Sequence, residues 1–225
     1  MKIKEIVLGT NQLDAIQAFY VNRLGLEVAE RGHGQLSLRA GETILSFHEI
    51  EASAAPFYHI AFTIPTNQLS EAKRWAVGRG ITLFSNPEGQ DEFSFPAWDA
   101  TAVYFHDPDG NLIEFIAHHS LDTATEEPFD TGHLLRISEI GLPVREVPGA
   151  AADIQEAFGF QRWGGDGQQF APIGDAEGLF IVVKHTRSWF PDGSIPVIAR
   201  TRVTVEGGKS GQLRLEDGRY ELISV

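Results

Sequence analysis

The same short run of local signals is written three times along this chain, and that repetition restricts it to a fold assembled from repeated units. In the first copy Ile3-Lys4-Glu5-Ile6 opens a strand, Thr10-Asn11-Gln12 caps a helix with Leu13, Ile16, Phe19 and Leu24 on one side, and Gly25 ends it. In the second, Tyr58-His59-Ile60-Ala61-Phe62 opens the strand, Thr66-Asn67-Gln68-Leu69 repeats the cap, and Gly80 ends the helix. The third opens at Ile137-Ser138-Glu139-Ile140, with a helix near Ala150 to Phe158 and Gly159 at its end. Glu5 to Gly25 and Glu139 to Gly159 are equally spaced, and Leu24-Gly25-Leu26 mirrors Phe158-Gly159-Phe160. Short strands follow each helix: Gln35 to Arg39, Thr43 to His48, Ala102 to His106, Leu112 to His118 and Gly178 to Lys184. A fourth copy, with strands at Val197 to Val205 and Gly218 to Ser224, has too short and Gly-rich a span between them for a helix. One such unit cannot close a core, so units are expected to pack in pairs. The polar stretch Leu121 to Asp130 has no periodicity and reads as a linker, giving halves 1–120 and 134–225 joined by 121–133.

Composition removes several function classes. The 225 residues, 42% of them hydrophobic, make an ordinary globular chain with no run approaching the roughly 18 apolar residues of a membrane span. A strand pattern beginning at Met1 leaves no room for a signal peptide, so a cytoplasmic location is the expectation. The absence of cysteine excludes disulfides, thiolate metal sites and cysteine nucleophiles, which leaves His, Asp and Glu as ligands. A formal charge of −13 argues against nucleic acid and anionic membranes as partners. A small molecule is the expected partner, with room left for a homodimer.

The most chemically suggestive stretch is Asp107-Pro108-Asp109-Gly110-Asn111 followed by Leu112-Ile113-Glu114-Phe115-Ile116. The first five residues reverse the chain, Pro fixing φ and Gly accepting a positive φ, so the run after them is the second arm of a hairpin. In that arm Leu112, Glu114, Ile116 and His118 share one face. An ionised carboxylate buried between aliphatic residues requires a cation, a metal or a proton, whereas on a wet edge it requires nothing.

With these residues in view, the chain resembles the vicinal oxygen chelate superfamily, which includes glyoxalase I, the fosfomycin-resistance enzymes and the extradiol ring-cleavage dioxygenases. The resemblance covers about residues 1 to 120. It rests on Phe19-Tyr20 to Leu24-Gly25-Leu26, on His59 in the strand opening the second unit, and on Tyr104-Phe105-His106-Asp107-Pro108-Asp109-Gly110-Asn111-Leu112-Ile113-Glu114. It implies an α+β fold of tandem βαβββ units forming curled mixed sheets, glyoxalase/extradiol dioxygenase-like, with the last unit truncated. It also implies a divalent metal, Fe(II), Mn(II) or Zn(II), held inside the first half. Carried over by position, the metal ligands fall on Glu5, His59 and Glu114. Strand parity agrees, with His59, Ala61 and Thr63 on one face of their strand and Glu5 and Val7 on one face of theirs. The sequence departs from the family at Glu5, where most relatives place His or Gln, and at Ser46, which stands where glyoxalase I has a fourth ligand.

The resemblance further gives Tyr104, ten residues before Glu114, the role of orienting or protonating a metal-bound substrate, and His48 that of an acid–base residue. His118 shares the parity of Glu114 but lies more than about ten ångströms along the strand, too far for the same ion. His106 before its turn reads as solvated, and His33 as a loop residue; His133 and His185 fall where no ligand set assembles. Residues 134–225 read as a degenerate copy kept for packing or cover, because Ala199-Arg200-Thr201-Arg202-Val203 offers Arg where a ligand is wanted. Three functions follow as expectations. The first is a metal-dependent enzyme acting on vicinal oxygens, most like an extradiol dioxygenase. The second is a glyoxalase-like or fosfomycin-resistance-like lyase or thiol transferase. The third is a metal-free drug-binding protein, for which Phe93, Phe95 and Trp98 would suit an aromatic guest.

Overall fold

The structure, a computed structural model, describes residues 1–51 and 55–225. Its strands form two seven-stranded mixed sheets, in the α+β arrangement expected. The first repeat gives β1 (Lys2–Thr10), α1 (Leu13–Gln17, widening into a π-helical turn over Ala18–Arg23), β2 (Glu27–Gly32), β3 (Gln35–Ala40) and β4 (Thr43–Glu49). The second gives β5 (His59–Thr63), α2 (Leu69–Gly78), β6 (Phe93–Phe95), β7 (Ala100–His106) and β8 (Leu112–His118). The third gives β9 (Arg136–Val144), α3 (Val147–Phe158), β10 (Phe170–Asp175) and β11 (Gly178–Lys184); the fourth has only β12 (Thr201–Glu206), β13 (Gly211–Leu215) and β14 (Tyr220–Ser224). Gly25 and Gly159, where the first and third helices end, take the positive φ that lets the chain leave the helix and turn back.

The pairing of repeats differs from the expected halves. One sheet runs β13-β14-β12-β1-β4-β3-β2 and the other β10-β11-β9-β5-β8-β7-β6. The first repeat therefore shares a sheet with the fourth, through antiparallel β1 and β12, and the second shares one with the third, through antiparallel β5 and β9. Residues 1–120 do not form a self-contained barrel. The reason lies in exposed edges: β1 and β5 each leave one side free after pairing with β4 and β8, and every unpaired backbone group there must find a partner. The second and third repeats are joined directly through 121–133, which makes their opening strands natural neighbours. In that connection Asn67 exchanges hydrogen bonds with the backbone of Thr125, and Phe129 is buried against Trp75.

The main core lies on the helix-bearing faces of both sheets. Ile6, Leu8 and Phe47 from one and Ile60, Phe62, Phe115 and Ile140 from the other share it with Ile16 and Phe19 of the first repeat and Ile154 and Phe158 of α3. A separate apolar cluster, including Ala61, Phe93, Tyr104, Leu112, Ile181 and Trp189, fills the opposite face of the second sheet. Among the described residues no helix is long and apolar enough to cross a membrane.

The turn at Asp107 fastens the two sheets. Asp107 Oδ1 accepts from the backbone of Asp109 and Asn111 at 2.9 and 3.0 Å, while Oδ2 accepts from Asn111 Nδ2 at 2.8 Å and from the Tyr20 hydroxyl at 3.1 Å. Thr10 reaches Asp109 from the first repeat at 2.6 Å. Burial outweighs these donors and pushes the Asp107 carboxyl up to about 6. A carboxyl that holds its proton more tightly folded than unfolded stabilises the fold at low pH, and that contribution is lost as pH rises from about 4 through about 6. Urea denaturation across this window should show a component of falling stability for the wild type that is smaller in Asp107→Asn, whatever the variant's absolute stability. Equal pH slopes in the two proteins would contradict the buried, proton-retaining Asp107.

Candidate metal centre

Strand register brings three of the chain's buried titratable groups to one place. Across β5 and β8 Ala61 stands beside Glu114, and across β5 and β9 Ala61 stands beside Glu139, so both carboxylates flank one small side chain. His59, two residues earlier, shares the face of Ala61. Its Nε2 lies 3.5 Å from Glu114 Oε2 and 3.7 Å from Glu139 Oε2. Ligand atoms of the three lie within 4.8 Å of one another, and among the described residues this is the one group of three or more with that geometry. All three are buried.

The donor chemistry fits a divalent ion. The Leu112 carbonyl faces His59 Nδ1 at 3.2 Å; a proton on Nδ1 meets that acceptor, which leaves Nε2, on the carboxylate side, as the nitrogen that a metal would use. Glu139 Oε1 is buried with no partner. Burial, then the neighbouring Glu139 carboxylate, push Glu114 well above the ordinary carboxylate range, while the Tyr104 phenol draws it down. Two carboxylates balance the charge of one divalent cation, whereas without it they repel and one of them takes up a proton. Tyr104 stands opposite Glu114 across β7 and β8. Burial, Glu114 and Glu139 together hold its phenol protonated, well above the usual range.

The sequence-derived ligand set is thus corrected at one position. His59 and Glu114 converge as expected, but Glu5 lies on β1 in the other sheet, half-buried and beside Thr204. Glu139, its counterpart in the third repeat, completes the group of three instead. The physical difference was visible: Glu5 follows Lys2 and Lys4 on a partly wet strand, while Glu139 sits in Ile137-Ser138-Glu139-Ile140-Gly141-Leu142, as isolated among apolar residues as Glu114. The third repeat is therefore part of the site as well as packing for it. The strand with Arg200 and Arg202, whose arginines argued against a ligand, belongs to the other sheet, and Arg202 pairs with Glu221 at 3.0 Å.

His48 does not reach the group. It is exposed on β4, in register with Gly9, and its neighbour Ser46 bonds Ser37 at 2.8 Å. On β11 the positions next to the site, Leu179 and Ile181, are aliphatic. His106 is exposed, as expected, and meets Asp192 at 2.8 Å. His118 faces the interior with Glu114; burial lowers its affinity for a proton while the Glu139 carboxylate works the other way.

The cover over the site comes from the segment after β11. Trp189 is buried with its ring 5.0 Å from that of His59. Gly141 makes this approach possible, since a Cβ there would meet the Trp189 ring at 2.9 Å. Phe190, half-exposed, packs edge-on to Phe93, Phe95 and Tyr104. Phe93, Phe95 and Trp98, expected to suit an aromatic guest, lie in this second cluster, with Trp98 stacked on Trp163 and on Phe170. Surface clefts of about 350 and 420 Å³ lie elsewhere, and neither is lined by His59, Glu114 or Glu139.

Comparison with known proteins places the chain in a family. No curated protein matches the chain in sequence. Among solved structures, a putative dioxygenase from Bacillus subtilis aligns with 100% of this chain and 85% of its own, at 13% identity and a TM-score of 0.67. A mutant of glyoxalase I from Zea mays aligns over 99% of this chain and 92% of its own, at 10% identity and a TM-score of 0.60. At such identities the likeness is one of fold. The family model described as the Glyoxalase/Bleomycin resistance protein/Dioxygenase superfamily matches residues 2–115, and the chain belongs to that superfamily.

Proposed function

We propose that this chain is a divalent-metal-dependent enzyme that binds a small, largely apolar substrate through two adjacent oxygens, with ring-cleavage dioxygenase chemistry the closest match. The observation that carries the reading is the buried convergence of His59, Glu114 and Glu139 without a cationic side chain to balance them. The single Arg on β5, β8 and β9, Arg136, is engaged by Glu42 and Glu177. His59 Nε2 and one oxygen of each glutamate would hold the metal, leaving positions free for substrate. Bound there, a divalent ion supplies Lewis acidity toward paired substrate oxygens.

The chain's own residues do the rest. Tyr104, protonated throughout the physiological range, offers a hydrogen bond to a substrate oxygen beside Glu114. Trp189 and the aliphatic side chains of Leu112 and Ile181 exclude water and favour an uncharged, flat molecule. No histidine stands where His48 was expected to act, so proton transfer at the triad falls to Tyr104 or to the Glu114 and Glu139 pair. A metal-free binder of aromatic molecules is the second reading, favoured by the stacked Trp98, Trp163 and Phe170.

Metal analysis separates the two. Wild type should take up one divalent ion per chain; Glu139→Gln and His59→Ala should weaken uptake by more than about a hundredfold, and Glu5→Gln should leave it unchanged. No uptake by wild type would favour the binder, and uptake lost with Glu5→Gln would overturn the assignment of Glu139 as the third ligand. On a catechol substrate, followed by oxygen consumption, Tyr104→Phe should lower turnover about a hundredfold while metal content is retained. An unchanged rate would remove Tyr104 from the chemistry.

A further inference from the structure

His59, Glu114 and Glu139 are buried and line neither surface cleft, so any ligand must displace what covers them. The cover belongs to the connection between β11 and β12, residues 185–200, which contains no helix or strand. An ordered connection of that length without secondary structure is uncommon and is often a functional loop over a site. Its Trp189 ring lies 5.0 Å from the His59 ring, and Phe190 meets Tyr104 edge-on.

This segment is held lightly. Among the described residues, the hydrogen bonds from 188–198 to the rest of the chain come down to one, between His106 Nε2 and Asp192 Oδ2 at 2.8 Å. The others close the tip on itself: Trp189 N–H donates to the Ser194 carbonyl, Gly193 N–H donates to the Trp189 carbonyl, and Ser194 donates to the Asp192 carboxylate. Trp189 Nε1 is buried with no acceptor, a cost that release into water removes. Phe190, Ile195 and Val197 remain exposed, so the segment buries only part of its apolar surface. His106 stands two residues beyond Tyr104 on the same face of β7, about 7 Å along the strand. With Phe84 it also lines the 420 Å³ cleft, so the His106–Asp192 pair joins the rim of an existing cleft to the edge of the covered interior.

We propose that residues 188–198 are a latched cover, held closed over His59 by the His106–Asp192 pair and opening as a unit when that pair separates. The inference rests on the metal-centre reading only in taking this interior as the place a ligand must reach. The self-closed tip keeps its own hydrogen bonds on opening, so the movement breaks one polar contact and carries Trp189 off the His59 ring. His106 and Asp192 are positioning residues that touch no substrate.

Diethylpyrocarbonate, which acylates unprotonated imidazole, reads the opening because it must reach the His59 ring. The metal-free whole protein is labelled at pH 7, and each histidine is followed by fragmentation mass spectrometry. His106→Ala, Asp192→Ala and the double variant should each raise the rate at His59 about tenfold, the double no further than the singles. Exposed His48 should keep its rate, and His118, buried beside Trp163 away from the cover, should stay unlabelled. His59 rates equal to wild type, or a double variant that multiplies the two single effects, would overturn the latch. Because the chain has no cysteine, His106→Cys/Asp192→Cys can be bridged by a short bis-methanethiosulfonate or capped at each thiol with methyl methanethiosulfonate. Bridging should hold His59 labelling about tenfold below the capped form, and equal labelling would overturn the proposal. This comparison decides the matter where labelling of His118 shows that an alanine variant has unfolded. Zn(II) added to the capped form tests the metal reading separately: a ligand is protected, and unprotected His59 counts against the metal centre while leaving the bridged-to-capped ratio as it stands.

Discussion

Two carboxylates and an imidazole are buried together on one sheet face, and most of what distinguishes this protein follows from what that arrangement demands. Glu114 and Glu139 are almost fully desolvated and lie on either side of Ala61. Neither Lys nor Arg from the three strands that carry the group balances them. A proton shared between them would relieve the repulsion, and a divalent cation would relieve it while also satisfying the orphaned Glu139 oxygen. The apolar surround of Trp189, Leu112 and Ile181 raises the stakes, because low polarity strengthens both the repulsion and its relief.

The repeat architecture explains why only one such centre exists among the described residues. Pairing the inner repeats brings the opening strands β5 and β9 side by side, and each contributes one member of the buried group, with β8 supplying the third. The outer repeats pair in the same way through β1 and β12, yet there Glu5 faces Thr204, and Arg202 and Arg214 are both spent on Glu221. One sheet therefore carries an apolar, chemically armed interior, and the corresponding strands of the other carry a hydrated set of ion pairs that contribute little individually. The frame is present twice, and among the described residues the buried group occupies it once.

Strand and helix order was legible in the sequence wherever an element is buried. Four strands were not: β2, β6, β10 and β13. All four are edges of their sheets. β2 is exposed at every position, β6 has three residues, β10 carries Pro172 and Gly174, and β13 is largely exposed. An edge strand packs on few neighbours, so it does not need the alternating pattern by which strands are recognised. The ligand set failed at Glu5 for a related reason. Position within a repeat is local information, whereas which repeats share a sheet is decided by long-range pairing of β1 with β12 and β5 with β9. The surroundings of each glutamate were the better guide, because a carboxylate flanked by lysines is solvated and one flanked by isoleucines is not.

Anomalous diffraction from crystals equilibrated with Mn(II) tests the central claim most directly. The account predicts one strong peak per chain, within bonding distance of His59 Nε2, Glu114 and Glu139, with Glu5 remote from it. A peak coordinated by Glu5, or an interior free of anomalous signal at saturating Mn(II), would contradict it.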